Sequence, residues 1–297
     1  MRALVFTLLL TCVISGDVTI YINNTFSNPY GNGTQSNPFS SFADAVDDIM
    51  QNLLENNVTV SFANTEIPYP VSFQTGSLNA IYNLTFTSSP ENEIFDCLLY
   101  PQLQFNSDYF QMWGQNISIT LMNVQIQNRM DAVNQSHIYF NTSEFLEAKL
   151  VNLCFNTSSD KLDEANSPFI FLNSNSLSLS VENVVFNSSK FSVQNRLLTA
   201  YSVQTLQATI TGLELFINVI SSGLNTASKL FFIQLNYSEI AQQPPSTIQI
   251  ENCYLQSNYS HTVDIKSIFN IENIYSMTID EICLKKVQGQ VDIFSIQ

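Results

Sequence analysis

The stretch Leu177–Phe186, LSLSVENVVF, carries a break in phase that constrains the whole chain. Apolar residues alternate at Leu177, Leu179 and Val181, as one face of a β-strand requires. The alternation then skips across Glu182-Asn183 and resumes at Val184 and Phe186. A straight strand would turn the second set to the opposite face, so the chain must bend at Asn183. Asparagine suits such a bend because it tolerates the left-handed conformation that most side chains avoid. The unit is strand, Asn corner, strand.

The unit recurs, centred on Asn83, Asn123, Asn152, Asn183, Gly212, Asn252 and Glu281. Two positions before the corner stand Ile81, Leu121, Leu150, Val181, Ile210, Ile250 and Ile279. One position after it stand Leu84, Val124, Leu153, Val184, Leu213, Cys253 and Ile282, and three after it Phe86, Ile126, Phe155, Phe186, Leu215, Leu255 and Leu284. Asparagine and glycine, the residues that best accept positive φ, fill the corner column except at Glu281. The spacing is about 29–31 residues, with two copies near 40, and a period of this size is the mark of a solenoid. One long copy contains Pro244-Pro245, which cannot join a ladder. Further β-rich runs precede the corners at 109–113, 169–173, 197–201, 230–235 and 268–271. Three short strands per turn predict an all-β, right-handed parallel β-helix. Its aligned asparagines are expected to form a ladder of side-chain amides, Asn83, Asn123, Asn152, Asn183, Gly212 and Asn252 marking the column. A β-sandwich gives no reason for a fixed phase break in one column.

Residues 1–16 combine Arg2, an apolar run from Ala3 to Ile14, and Ser15-Gly16, the pattern of a secretory signal peptide. The run is too short to span a bilayer comfortably. Residues 17–57 read as a strand, an Asn/Gly/Pro/Ser-rich loop and an amphipathic helix over Ser41–Leu54. Ser41 is its predicted cap, with Asp44 as partner, and Phe42, Val46, Ile49, Met50, Leu53 and Leu54 form its apolar face. The expected role of this helix is to close the open end of the solenoid. The coils occupy 58–297. They reach Gln297 without a closing cap, so the natural protein is expected to extend beyond that residue, or a partner to cover that end.

Tyr30-Gly31-Asn32-Gly33-Thr34, then Asn37-Pro38-Phe39-Ser40-Ser41-Phe42 and Ala45, resembles the opening segment of parallel β-helix proteins of the pectin-lyase-like superfamily. The resemblance implies the same fold, and in some such proteins a cysteine-rich or membrane-spanning segment that follows. The superfamily's hydrolases carry clustered aspartates and a His-Gly motif, and its lyases calcium-binding aspartates with a basic residue. Neither combination occurs here.

The net charge is −15, and between Arg2 and Arg129 there is no basic residue. Such a surface repels nucleic acid and anionic lipid, and polyanionic sugars as well unless calcium bridges them; its plainest consequence is solubility. Sequons at Asn23, Asn32, Asn57, Asn116, Asn134, Asn141, Asn156, Asn187, Asn236 and Asn258 are candidate glycosylation sites; the sequon at Asn83 is excepted because the ladder should hold its amide. Cys97, Cys154, Cys253 and Cys283 permit two disulfides in a secreted chain. Cys253 and Cys283 lie in adjacent coils but on opposite faces, and Cys154 is several coils from both, so long-range pairs are not expected. Cys253 reads as a core residue.

The chemistry-bearing residues do not assemble into a known motif. His137 and His261 are the two histidines, without a G-x-S-x-G or comparable context. Glu91/Glu93/Asp96 and Asp160/Asp163/Glu164 are acidic groups that read as solvated loops. No C-x-x-C suggests zinc, and no Gly-rich loop suggests phosphate. Around Tyr109, Phe110, Met112 and Trp113, one parity must be core and the other can stack on sugar. The sequence therefore predicts no catalytic, cofactor or metal residues. It predicts a secreted or cell-surface ectodomain, structural or adhesive, that contacts protein or glycan. The alternative is a polysaccharide-active lyase or hydrolase.

Overall fold

The structure is a computed structural model, and it describes residues 16–52, 56–89, 96–105, 110–129, 136, 138–158, 169–191, 198–219, 233–237, 246–257, 269–272, 276–285 and 294–296. The signal sequence (apart from Gly16), His137, His261, Pro244-Pro245, Leu53-Leu54, Asn134 and Asn258 lie outside these residues, as do the acidic groups apart from Asp96.

The first elements are β1 (Asp17–Ile22), α1 (Phe42–Asn52), β2 (Asn57–Ala63), β3 (Tyr69–Pro70), β4 (Phe73–Ser89) and β5 (Gln102–Phe105). Four long strands follow: β6 (Phe110–Arg129), β7 (Ile138–Ser158), β8 (Ile170–Phe191) and β9 (Leu198–Val219). The last are β10 (Ile233–Tyr237), β11 (Thr247–Ser257), β12 (Phe269–Glu272), β13 (Ser276–Lys285) and β14 (Phe294–Ile296). Every pairing between these strands is parallel, in the path β1-β2-β4-β6-β7-β8-β9-β10-β12-β14 with β11 and β13 stacked beside it on β9. This is a parallel β-solenoid. The short strands expected on each turn are fused: the pairing keeps one offset through the Asn corner and resumes after a register shift at the other bend.

One bend is the Asn corner. Asn123, Asn152, Asn183 and Asn252 have φ of 51–54°, Gly212 has 67° and Glu281 has 48°. These six stand in one column, since the residues flanking them pair rung to rung. Asn152 Nδ2 donates to Asn123 Oδ1 at 2.9 Å, and Asn183 Nδ2 to Asn152 Oδ1 at 3.1 Å. A Cβ at Gly212 would meet Asn183 Oδ1 at 2.8 Å, so glycine also makes room for the amide beneath it. Glu281, on the final rung, pays the left-handed cost with neither advantage.

The other bend was not legible in the sequence. Thr142, Ser174 and Ser202 are buried there, Thr142 Oγ1 lying 2.7 Å from Ser174 Oγ, and the two serines donate to backbone carbonyls of Ser176 and Asn175. Buried hydroxyls satisfy the carbonyls that the bend takes out of the ladder.

Asn83 departs from the expected column. It pairs with Ser118, and Phe86 pairs with Leu121, so the residue abreast of Asn123 is Ser88. Asn83 has no positive φ, and its exposed amide donates to Asn57 Oδ1 at 2.7 Å. The apolar set Ile81/Leu84/Phe86 fits the corner pattern by coincidence; the buried residues are Tyr82, Leu84 and Phe86, in plain alternation. In this coil β4 ends at Ser89, Asp96–Tyr100 lie off the ladder, and the excursion they belong to rejoins it as β5, which pairs with Gln125–Asn128 of β6. The exception made for the Asn83 sequon loses its basis.

That excursion also overturns the cysteine expectation. Cys97 is bonded to Cys154 across 57 residues, with Cα atoms 5.6 Å apart. Counting coils assumes the chain stays on the solenoid path, whereas the excursion lays Cys97 over the outer face beside Cys154. Asp96 caps the turn Cys97–Leu99 by accepting from the Leu98 N–H at 2.9 Å. Cys253 is buried and free, and Cys283 is exposed and free.

The core is a stack of inward columns. Leu121, Leu150, Val181, Ile210 and Ile250 are buried before the corner, and Val124, Leu153, Val184, Leu213 and Cys253 after it. Phe42 of α1 packs against Phe62, Phe73 and Phe86, closing the core at the N-terminal end. Ser41 Oγ accepts from the Asp44 N–H at 3.1 Å and donates to the Asp44 carboxylate at 2.8 Å. Phe42, Ala45 and Ile49 are buried, while Val46 and Met50 flank them half-buried. The outer edge of β1 is covered too, because Tyr21 N–H donates to Gly33 O and Asn23 N–H to Phe39 O. Gly31 and Gly33 permit this fold-back: a Cβ on Gly31 would lie 2.0 Å from Pro38 O, and Gly33 has φ 75°.

Candidate functional site

The outer face of β6–β9 collects the aromatic residues that the core does not use. Phe110, Met112, Phe140, Leu172 and Ala200 point inward and are buried. Trp113, Tyr139, Phe171 and Tyr201 have the opposite parity and lie half-buried outside. The parity left open around Phe110 and Trp113 is therefore settled with Phe110 and Met112 inside and Trp113 outside.

Rung pairing puts these rings in a zigzag. Tyr139 stands beside Phe171, whereas Trp113 and Tyr201 belong to the neighbouring column, with Asn141 and Asn173 between them. Successive centroids are 5.9, 5.2 and 5.5 Å apart. Tyr139 and Phe171 stack at 8° and use their faces on each other. Trp113 and Tyr201 tilt by 47° and 51° from their neighbours, so stacking does not consume their faces. Asn173 Nδ2 donates to Asn141 Oδ1 at 2.8 Å, a second amide pair on the outside of the solenoid. Thr199 follows Phe171 in its column, and its buried hydroxyl has no hydrogen-bond partner among the described residues. The face thus offers aromatic rings and carboxamides, and no charged group among the residues that define it.

A second outer column is polar and partly acidic. Asn57 Nδ2 donates to Asp17 Oδ1 at 2.9 Å, and Asn83 joins it from the next rung. Further along, Glu147 receives Lys149 Nζ at 2.9 Å and Ser118 Oγ at 2.7 Å. The Lys149 hydrogen bond, then that from Ser118, holds the Glu147 carboxyl below its ordinary pKa. Burial pushes the Cys253 thiol up to about 11, as expected of a core cysteine, not a nucleophile.

The candidate glycosylation residues are spread over the surface. Asn32, Asn57, Asn156 and Asn187 are exposed, Asn23, Asn116 and Asn141 half-buried, and Asn236 lies in β10. In two sequons the asparagine Oδ1 accepts from the hydroxyl of its own threonine at 2.8 Å, Asn23 with Thr25 and Asn32 with Thr34. Among the described residues no three His, Cys, Asp or Glu side chains come together as a metal cluster, and no helix is long and apolar enough to cross a membrane. Of the acidic loop groups, Asp96 is accounted for by its capping role.

No protein-family model, curated protein or solved structure matches the chain.

Proposed function

We propose that the protein is a non-catalytic, extracellular binding module of the solenoid type, and that the outer face of β6–β9 takes an extended neutral glycan. The observation that carries this reading is the zigzag Trp113–Tyr139–Phe171–Tyr201 flanked by Asn141 and Asn173. Sugar C–H faces stack on tilted aromatic rings, and carboxamides both donate to and accept from hydroxyls. The repetition of similar groups rung after rung suits a ligand that is itself a repeat. A net charge of −15 favours neutral over polyanionic chains. Secretion is supported by the Arg2–Gly16 pattern and by the Cys97–Cys154 disulfide, a bond of oxidising compartments. Kinship with the pectin-lyase-like superfamily belongs to the same proposal, resting on the Tyr30–Ala45 segment and the parallel coils.

Titration of the secreted protein with neutral oligosaccharides tests the reading. Binding is expected, with Trp113→Ala and Tyr201→Ala each weakening it roughly tenfold. Absence of binding to any neutral glycan would refute it. A screen for new reducing ends and unsaturated products separates it from a polysaccharide-active enzyme; turnover abolished by changing Asp160, Asp163 or Glu164 would favour the enzyme.

A further inference from the structure

The sequon Asn141-Thr142-Ser143 lies inside the outer aromatic face. Trp113, Asn141, Asn173 and Tyr201 form one column, and Tyr139 stands two residues before Asn141 on the same side of β7. Asn141 is half-buried, and Ser143, which supplies the sequon hydroxyl, is exposed. The ladder to β8 shifts register directly after Asn141, so the sequon opens onto the second bend. Asn173, the other carboxamide of the column, is followed by Ser174-Asn175 and carries no sequon. Of the two stacked amides, Asn141 alone can receive a glycan.

The hydrogen bonding of Asn141 suits that modification. Its Oδ1 accepts from Asn173 Nδ2 at 2.8 Å, so the planar amide turns its own nitrogen away from Asn173, towards the rung of Trp113. That nitrogen donates to nothing among the described residues. By contrast, the sequon nitrogens of Asn57 and Asn116 are taken by Asp17 at 2.9 Å and Glu144 at 3.1 Å. A glycan on Asn141 Nδ2 leaves the hydrogen bond from Asn173 to Oδ1 intact. It also starts beside two rings, since the centroids of Trp113 and Tyr139 are 5.9 Å apart and the rings are tilted by 47°.

We propose that Asn141 carries an N-linked glycan whose first sugar stacks on Trp113, so that the protein's own glycan competes with an external chain for this face. The inference rests on the reading of the face as a sugar platform in a secreted protein. The glycan is transferred in the secretory pathway from an oligosaccharide held on a lipid diphosphate. Asn141 Nδ2 bonds to the anomeric carbon of the first sugar, and the bond from that carbon to the diphosphate oxygen breaks. The lipid diphosphate leaves with the electron pair, and one amide proton passes to solvent. A short tether holds the sugar at an effective concentration in the millimolar range, so a weak stack fills the ring for much of the time. Tyr201 is two rungs beyond Asn141 and stays open to an external chain.

Trp113 is the single tryptophan, so acrylamide quenching of its fluorescence reads this site alone. The full chain is secreted from a eukaryotic cell line, and enzymatic glycan release in heavy-oxygen water marks each occupied asparagine by mass. Asn141 is expected to be occupied. Ser143→Ala destroys the sequon but keeps Asn141 and its bond with Asn173. In this variant quenching of Trp113 should rise about twofold, and neutral oligosaccharides should bind about twofold more tightly. Ser143→Thr keeps the sequon and should keep the wild-type values, and circular dichroism verifies that both variants are folded. An unoccupied Asn141 would overturn the proposal. So would equal Trp113 quenching, or equal measurable oligosaccharide affinity, in the wild type and Ser143→Ala. A Ser143→Ala protein that shows the rise in quenching but binds no neutral oligosaccharide upholds the tethered sugar and refutes the external-ligand reading alone.

Discussion

Asn152 sits at the middle of the amide ladder and does two things that can be separated. Its backbone holds φ 51°, and its amide donates to Asn123 at 2.9 Å while accepting from Asn183 at 3.1 Å. Alanine loses both. Forcing it into the left-handed region costs roughly 1 kcal/mol more than asparagine, which tolerates that region. Asn123 is 5% exposed, so stranding its Oδ1 costs about 1–2 kcal/mol, whereas the exposed Asn183 amide can turn to water and forfeits about 0.5 kcal/mol. Asn152→Ala should therefore destabilise the protein by about 3 kcal/mol. Asn152→Gly removes the same hydrogen bonds but accepts the conformation, and should cost about 1 kcal/mol less. The single tryptophan, Trp113, lies one coil away and reports urea unfolding by fluorescence, with far-ultraviolet circular dichroism as a second probe, because solenoids need not unfold in two states. Equal stabilities for the alanine and glycine variants would refute the backbone argument. An alanine variant within 0.5 kcal/mol of wild type, about the effect of an ordinary surface change, would refute the ladder as a source of stability.

Three further outcomes are expected. Cys97→Ser opens a 57-residue loop and should lower stability by about 4 kcal/mol at most, read as a fall in urea midpoint that reductant reproduces in the wild type. Glu147 has a lowered folded pKa, so its contribution is complete above the unfolded carboxylate pKa and is lost as pH falls through the folded value; Glu147→Gln should flatten the acid limb of a stability–pH curve and leave it unchanged if the Lys149 and Ser118 bonds are immaterial. The Cys253 thiol, pushed up to about 11, stays protonated and should resist iodoacetamide at pH 8 in the folded protein but react on unfolding; the stability tied to that neutral thiol is full below pH 9 and declines as pH rises towards 11.

The fold was legible because one backbone requirement repeats. Positive φ every thirty or so residues favours Asn or Gly, which fill the column at every corner but Glu281, and the apolar columns around it report which way the chain turns. The same logic failed at Asn83, where Ile81, Leu84 and Phe86 satisfied the pattern with no corner between them. Periodicity of two cannot distinguish a residue before a bend from one after it when an excursion replaces the usual corner. The hydroxyl bend at Thr142, Ser174 and Ser202 stayed invisible because Ser and Thr are common everywhere in this chain. The outer aromatic zigzag was half legible. Trp113 was singled out, but Tyr139, Phe171 and Tyr201 come together only once the rungs are in register, and linear spacing varies with the loops between them.

The covering of β1 has a consequence for growth. A parallel β-solenoid is a template at both ends, and an uncovered pair of ends polymerises without limit. Here the fold-back of Gly33–Phe39 takes up outer hydrogen bonds of the first rung, and Phe42 fills the cross-section beneath them. The molecule is therefore polar in the sense a filament chemist would use: at most one end can recruit.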